Sequence, residues 1–166
     1  MILLDTDHLS LLERGGAASL TLQLRLGGIP AAEISTSIVN YEEQMRGWLA
    51  RAAQANTVER MLVAYERLRT HIETFRGIPI LPFDAAAATE FERLRQARLR
   101  IGTMDLKIAA IALANDATLL SRNLSDFGRV RPPRRRLDAL ILPSRTFPAR
   151  VEPFPEVGRE HEAGAK

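Results

Sequence analysis

The apolar and polar positions of the chain fall into short runs separated by turn residues. Residues 2–5 (ILLD) begin with three consecutive apolar positions, the pattern of a strand buried on both faces. Residues 8–14 read as a short helix stopped by Gly15-Gly16, and residues 17–26 as a second one stopped by Gly27-Gly28. A strand is expected over residues 33–37. Over residues 38–55 a helical period puts Ile38, Met45, Trp48, Leu49 and Ala52 on one apolar face. Asn56-Thr57 interrupts the pattern before residues 58–75, where Met61, Leu62, Tyr65, Leu68 and Ile72 keep the same spacing. Residues 78–81, edged by Pro79 and Pro82, form a short strand, and Asp84 is placed to cap a helix over residues 85–99. Thr103 caps the apolar helix 104–114, and residues 118–121 are the next strand. This alternation predicts a three-layer α/β/α sandwich with a mainly parallel central sheet.

In such sheets ligands bind beyond the carboxyl ends of the strands, at the switch point in strand order. Asp5 ends the first predicted strand, so its carboxylate is a candidate for that crevice. Asp7 stands just ahead of a helix and is expected to cap or support it. Asp105 falls in the first turn of the apolar helix, where the macrodipole favours a negative charge. Ser121, Asn123 and Asp126 follow the strand at 118–121. Each acid alone has a bland explanation, but together they recur along one predicted edge.

Composition changes this picture in four places. The 166 residues suffice for one domain with a sizeable core. With no cysteine, thiolate metal sites and disulfides are excluded, and His8, His71 and His161 are too scattered for a zinc site. No apolar run approaches the roughly 18 residues of a membrane span, so a cytoplasmic protein is expected. The sequence pI of about 9.9 invites a nucleic-acid reading. However, residues 127–166 hold nine Lys and Arg against five Asp and Glu, leaving 14 against 15 in residues 1–126. The basicity therefore belongs to the tail, and local features have to support any nucleic-acid reading.

Four motifs, in order, resemble those of the PIN-domain ribonucleases, specifically the VapC-type toxins of toxin-antitoxin pairs. ILLDTDHLS is similar to the first-strand motif of that family, and SIVNYEEQMRG to its small-residue strand end and Glu-bearing helix. GTMDLKIAAIAL matches the third acidic motif at Asp105, and LLSRNLSDF the fourth, with Asn123 where an Asp or Asn is usual. The resemblance covers roughly residues 1–130 and places the family glutamate on Glu43, four positions before Gly47. Helical spacing alone does not choose between Glu42 and Glu43; the absent side chain at Gly47 would leave room above Glu43.

Were Asp5, Glu43 and Asp105 to converge, their mutual repulsion would call for a cation. Oxygen ligands without Cys or His suit Mg²⁺ or Mn²⁺. The implied activity is metal-dependent hydrolysis of RNA phosphodiester bonds, with Asp5 and Asp105 as primary ligands and Glu43 binding through water or positioning the nucleophile. Asn123 would orient a water or phosphate, and Asp126 could add a ligand. Arg93, Arg95, Arg98, Arg100, Lys107 and Arg122 are candidate phosphate contacts. The resemblance also implies a cognate antitoxin and a homodimer; the apolar-faced helices 38–55 and 58–75 could form a docking groove for the antitoxin or could equally be core and dimer interface. Other classes are a non-catalytic PIN-fold binding module and a haloacid-dehalogenase-type phosphatase, whose usual Thr or Val would fall on Leu9.

The end of the chain departs from the family. Residues 131–139, RPPRRRLDA, make a poor strand, although 140–142 could form a short one. Written as CGG CCT CCG CGT CGA AGA CTG GAC GCN and read one base later, the segment becomes Gly-Leu-Arg-Val-Glu-Asp-Trp-Thr, which looks like the usual family ending. The expected organisation is a nuclease domain over residues 1–142, altered after about 128 by a frameshift, and a disordered basic tail over 143–166.

Overall fold

Within strand β1 (Ile2–Leu4), Leu3 and Leu4 are both fully buried, yet in different cores. Successive strand side chains point to opposite faces, so a buried run feeds two layers at once. Leu3 joins Val39, Leu94, Ile108, Ile111 and Leu119 on one face of the sheet; Leu4 joins Leu9, Leu22, Leu26, Ile34 and Phe75 on the other.

The computed structural model describes residues 1–130. After β1 come α1 (Thr6–Arg14), α2 (Gly16–Leu26), β2 (Ile34–Ser37), α3 (Ile38–Ala53), α4 (Val58–Arg76), β3 (Ile80–Leu81), α5 (Ala85–Gln96), α6 (Thr103–Ala114), β4 (Thr118–Leu120) and α7 (Leu124–Phe127). The four strands form a parallel sheet in the order β3-β2-β1-β4. Two strands are added on one side of β1 before the chain crosses to place β4 on its other side. The switch point therefore lies between β1 and β4, where strand ends open a crevice. The predicted α/β sandwich is the observed fold. Helix α6 is apolar all round because both of its sides are covered, with residues Ile108 to Ala112 fully buried.

Element limits shift where caps decide them. Helix α1 starts at Thr6 instead of residue 8 because Asp5, not Asp7, is its N-cap. Gly102 rather than Thr103 precedes α6. Helix α5 begins under the predicted Asp84 cap, whose carboxylate accepts from Ala87 N at 2.9 Å. It ends at Gln96, before the predicted residue 99, because Arg98 turns left-handed at φ 51°.

The apolar stripes of α3 and α4 face outward. Leu49 is 53% exposed and Leu62 67%, whereas the buried positions of α3 are Val39, Asn40 and Gln44. Ile38, Met45 and Leu49 line an open groove of about 890 Å³ with Phe83 and Lys107. The predicted strand at 140–142 and the proposed tail from 143 lie outside the described residues.

Candidate active site

Asp5 leaves β1 at the switch point and is only 7% exposed. A buried carboxylate needs donors in place of water, and three converge here. Asp5 Oδ1 accepts from Thr6 N at 2.7 Å and Asn40 Nδ2 at 3.1 Å, and Oδ2 accepts from the Ser121 hydroxyl at 2.6 Å. Asp7, two residues on, is exposed in the first turn of α1. The two opening carboxylates thus occupy different environments, and the cap is the one in the crevice.

Glu43 and Glu42 diverge in the same way. Thr6 Oγ1 donates to Glu43 Oε2 at 2.8 Å, drawing that side chain toward Asp5. Glu42 instead pairs with Arg46 on the outer side of α3. Gly47 is exposed, and a methyl group there would meet no protein atom within 4 Å, so packing does not demand a glycine. The expected clearance above Glu43 is therefore open surface, not a gap between packed groups.

Asp105, in the first turn of α6, links the remaining acids. Its carboxyl is pushed up to about 6, chiefly by burial, then by the negative charges of Asp5, Glu43 and Asp126, with the Asn123 hydrogen bond opposing. Three carboxylates from other parts of the chain therefore act on Asp105. Asn123 Nδ2 donates to Asp105 Oδ2 at 3.2 Å and to Asp126 Oδ2 at 3.0 Å, and the Asn123 backbone N donates to Ser121 Oγ at 3.0 Å. Asp5, Glu43, Asp105, Asn123 and Asp126 are thus brought together at the ends of β1 and β4 and the starts of α3, α6 and α7.

Sequence reasoning missed three residues. Asn40 is fully buried and joins Asp5 to Thr6, donating to Thr6 Oγ1 at 2.9 Å. Thr6 itself passes a hydrogen bond to Glu43. Gln44 Nε2 donates to Thr6 O and Ser10 Oγ, both at 3.3 Å, holding the first turns of α1 to α3. The one available signal was Ser37-x-x-Asn40 at a helix start, a capping-box spacing, which the structure realises. His8 lies at the margin, with burial lowering its pKa against the raising influence of Asp5 and Asp7.

The candidate phosphate contacts separate into two kinds. Arg93 and Arg95 pair with Glu90 and Glu92 on their own helix. Arg98, Arg100 and Arg122 are exposed, and Lys107 is half-buried beside the α3 groove.

As the side chains stand, no three His, Asp or Glu among the described residues form a ready coordination cluster. Neutral donors occupy several carboxylate oxygens: Asn40, Ser121 and Thr6 N on Asp5, Thr6 Oγ1 on Glu43, and Asn123 on Asp105 and Asp126. The donor set is nevertheless all oxygen, and its mutual repulsion, visible at Asp105, is what a divalent cation relieves. In chemistry and charge the residues fit Mg²⁺ or Mn²⁺.

A family model described as PIN domain matches residues 2–131. Among solved structures, FitAcB from Neisseria gonorrhoeae superposes with a TM-score of 0.58 at 24% identity, covering 77% of this chain and 91% of that one. VapBC2 from Rickettsia felis, bound to a DNA fragment from its promoter, gives a TM-score of 0.55 at 24% identity, covering 78% and 93%. VapBC-5 from Mycobacterium tuberculosis, of the VapBC family of toxin-antitoxin systems, gives 0.50 at 25% identity, covering 76% and 87%. A search of curated proteins gives no match.

Proposed function

The chain belongs to the PIN-domain family, and from that membership we propose that it is a divalent-metal-dependent endoribonuclease, the toxin of a toxin-antitoxin pair. One observation carries this reading: Asp105, its carboxyl pushed up to about 6 by burial and then by the charges of Asp5, Glu43 and Asp126, marks a carboxylate cluster at the switch point of the sheet. The Asp-x-Asp phosphatase alternative does not survive the family assignment, and the second Asp of that motif faces solvent.

Asp5, Asp105 and Glu43, with Asp126 alongside, would hold Mg²⁺ or Mn²⁺. Bound there, the cation supplies Lewis acidity and offsets charge on the scissile phosphate. The chain's own part is to fix the oxygens: Ser121 and Asn40 orient Asp5, Thr6 orients Glu43, and Asn123 spans Asp105 and Asp126. Arg98, Arg100 and Arg122 supply exposed positive charge for the RNA backbone.

Solved structures that this chain resembles include a toxin-antitoxin complex from Klebsiella pneumoniae, superposing with a TM-score of 0.56 at 23% identity. By extension this chain has a cognate antitoxin, and the outward stripe of α4, with Val58, Met61, Leu62 and Tyr65 exposed, together with the α3 groove, offers apolar surface for it and for a second copy of the chain. Among the described residues no helix is long and apolar enough to cross a membrane; the proposed RNA substrate is what supports a cytoplasmic location.

Cleavage of RNA by the purified protein, with Mg²⁺ or Mn²⁺ and with chelator, tests the reading. Cleavage should require the metal and be abolished by Asp5→Asn or Asp105→Asn in folded protein. Full activity in either variant, or with chelator, would overturn it; inactivity of the wild-type chain would favour the binding-module alternative.

A further inference from the structure

Asn40 is fully buried, and its four hydrogen-bonding capacities are all used. Its Oδ1 accepts from Ser37 N at 3.3 Å and from the Ser37 hydroxyl; its two Nδ2 hydrogens go to Asp5 Oδ1 at 3.1 Å and Thr6 Oγ1 at 2.9 Å. The amide has one workable orientation. Reversed, Oδ1 would face the Asp5 carboxylate and the amide hydrogens would face the Ser37 N–H.

That orientation has a consequence one bond further on. Thr6 Oγ1 accepts the Asn40 hydrogen, so its single proton is directed outward, to Glu43 Oε2 at 2.8 Å. Asn40 therefore sets the direction of a chain running from the end of β2 through Thr6 to Glu43, with a branch to Asp5. From these contacts we propose that Asn40 is a positioning residue for the proposed cleavage: one buried amide fixes the rotamers of two carboxylates 38 residues apart, Asp5 directly and Glu43 through Thr6. Gln44, one turn along α3, supports the arrangement by gripping the Thr6 carbonyl oxygen. The role rests on the ribonuclease reading given above and adds to it a residue that touches neither metal nor RNA.

The test compares Asn40→Ala, Asn40→Asp and Thr6→Val with wild type. Asn40→Asp keeps the shape but places an acceptor against Asp5; Thr6→Val keeps the shape but removes the donor to Glu43. Three quantities are read: Mn²⁺ affinity by titration calorimetry, kcat and KM for RNA, and Tm by circular dichroism. Partners that orient metal ligands typically change affinity about 10- to 100-fold. Both Asn40 variants should weaken Mn²⁺ binding and lower kcat by at least about tenfold with KM within about twofold. Thr6→Val should show the same signature more weakly, and the Thr6→Val/Asn40→Ala pair should be less than additive. If Asp5→Asn abolishes cleavage while folded Asn40 variants keep Mn²⁺ affinity and kcat within about twofold of wild type, the positioning role falls and the ribonuclease reading stands. Should neither Asn40 variant fold, unchanged Mn²⁺ affinity and kcat in Thr6→Val would overturn the role. Cleavage that survives Asp5→Asn removes the reading beneath it.

Discussion

The Ser121 hydroxyl donates to Asp5 Oδ2 at 2.6 Å, joining the ends of β1 and β4 across 116 residues of sequence. The contact lies at the switch point, beside the backbone bond from Asp5 N to Leu120 O that prolongs the pairing of these strands. Ser121 also accepts from Asn123 N, so one hydroxyl orders both the first carboxylate and the loop that carries the fourth motif. Ser121→Ala should cost about 1–2 kcal/mol, since it removes a hydrogen bond to a charged group. Urea denaturation at neutral pH is the measurement; an unchanged midpoint would show that the contact stabilises nothing.

The carboxylate cluster makes stability depend on pH through Asp105. Its folded pKa, about 6, lies above the ordinary 3.8. Between those values the folded state binds more protons than the unfolded state, so stability falls as pH rises through this window. Asp105→Asn removes the term. With chelator present, the variant should be more stable than wild type at pH 7, by roughly 1 kcal/mol after allowance for solvent screening at a half-exposed group, and near parity at pH 4. Thermal melts at the two pH values decide it. A variant less stable at pH 7 would contradict the electrostatic account.

Gly47 gives a prediction of opposite kind. It lies inside α3, it is exposed, and an added methyl would meet no protein atom. Gly47→Ala should therefore raise stability by about 0.5–1 kcal/mol through helix propensity alone. If RNA lies over this surface, the same change should raise KM for RNA while raising Tm. Loss of stability would mean that the helix needs the glycine for a reason its packing does not reveal.

The exposed and the paired arginines should behave differently toward RNA. Arg93 and Arg95 are partly neutralised by Glu90 and Glu92, whereas Arg100 and Arg122 stand exposed, Arg100 just ahead of the helix that carries Asp105 and Arg122 next to Asn123. Each phosphate contact removed should lower the dependence of log affinity on log salt by about 1. Arg100→Ala and Arg122→Ala should show that decrease, and Arg95→Ala should not. Equal slopes in all three variants would dissociate this face from RNA.

What the sequence made legible follows a physical division. Strands were readable because Leu3 and Leu4 feed both cores at once, and helix starts were readable where a side chain caps them, as Asp84 does for α5. The acids were readable only jointly: each alone could be a helix cap, as Asp5 is for α1, and it was their recurrence along one predicted edge that set them apart. Periodicity, however, says only which residues share a face. On α3 the apolar stripe of Ile38, Met45 and Leu49 points outward, while polar Asn40 and Gln44 are buried, because that helix packs its polar side onto the site. Thr6 and Asn40 were missed for the same reason: a buried amide or hydroxyl is identified by its partners, which come from distant segments. The left-handed turn at Arg98, which ends α5 early, has no glycine to announce it.

The end of the chain yields the last prediction. The family match stops at residue 131, where the sequence becomes RPPRRR. Positive charge is concentrated there: residues 129–136 hold five arginines, whereas residues 143–166 hold four Lys and Arg against four Asp and Glu. The tail expected to be basic is thus nearly neutral, and the basic element is the short run before it. We propose that this run is the product of a frameshift and that the acidic site is encoded wholly upstream. A chain truncated at Pro143 should then bind RNA with an unchanged salt slope, because no net charge is removed. Replacing Arg134, Arg135 and Arg136 by Ala should flatten the slope only if those residues touch phosphate, which a frameshifted segment has no reason to do. Gene sequencing over codons 131–139 should return a reading that, one base later, encodes Gly-Leu-Arg-Val-Glu-Asp-Trp-Thr. Codons that cannot yield that reading would remove the frameshift, and a slope lowered by the triple substitution would make the run a genuine RNA-binding extension of the domain.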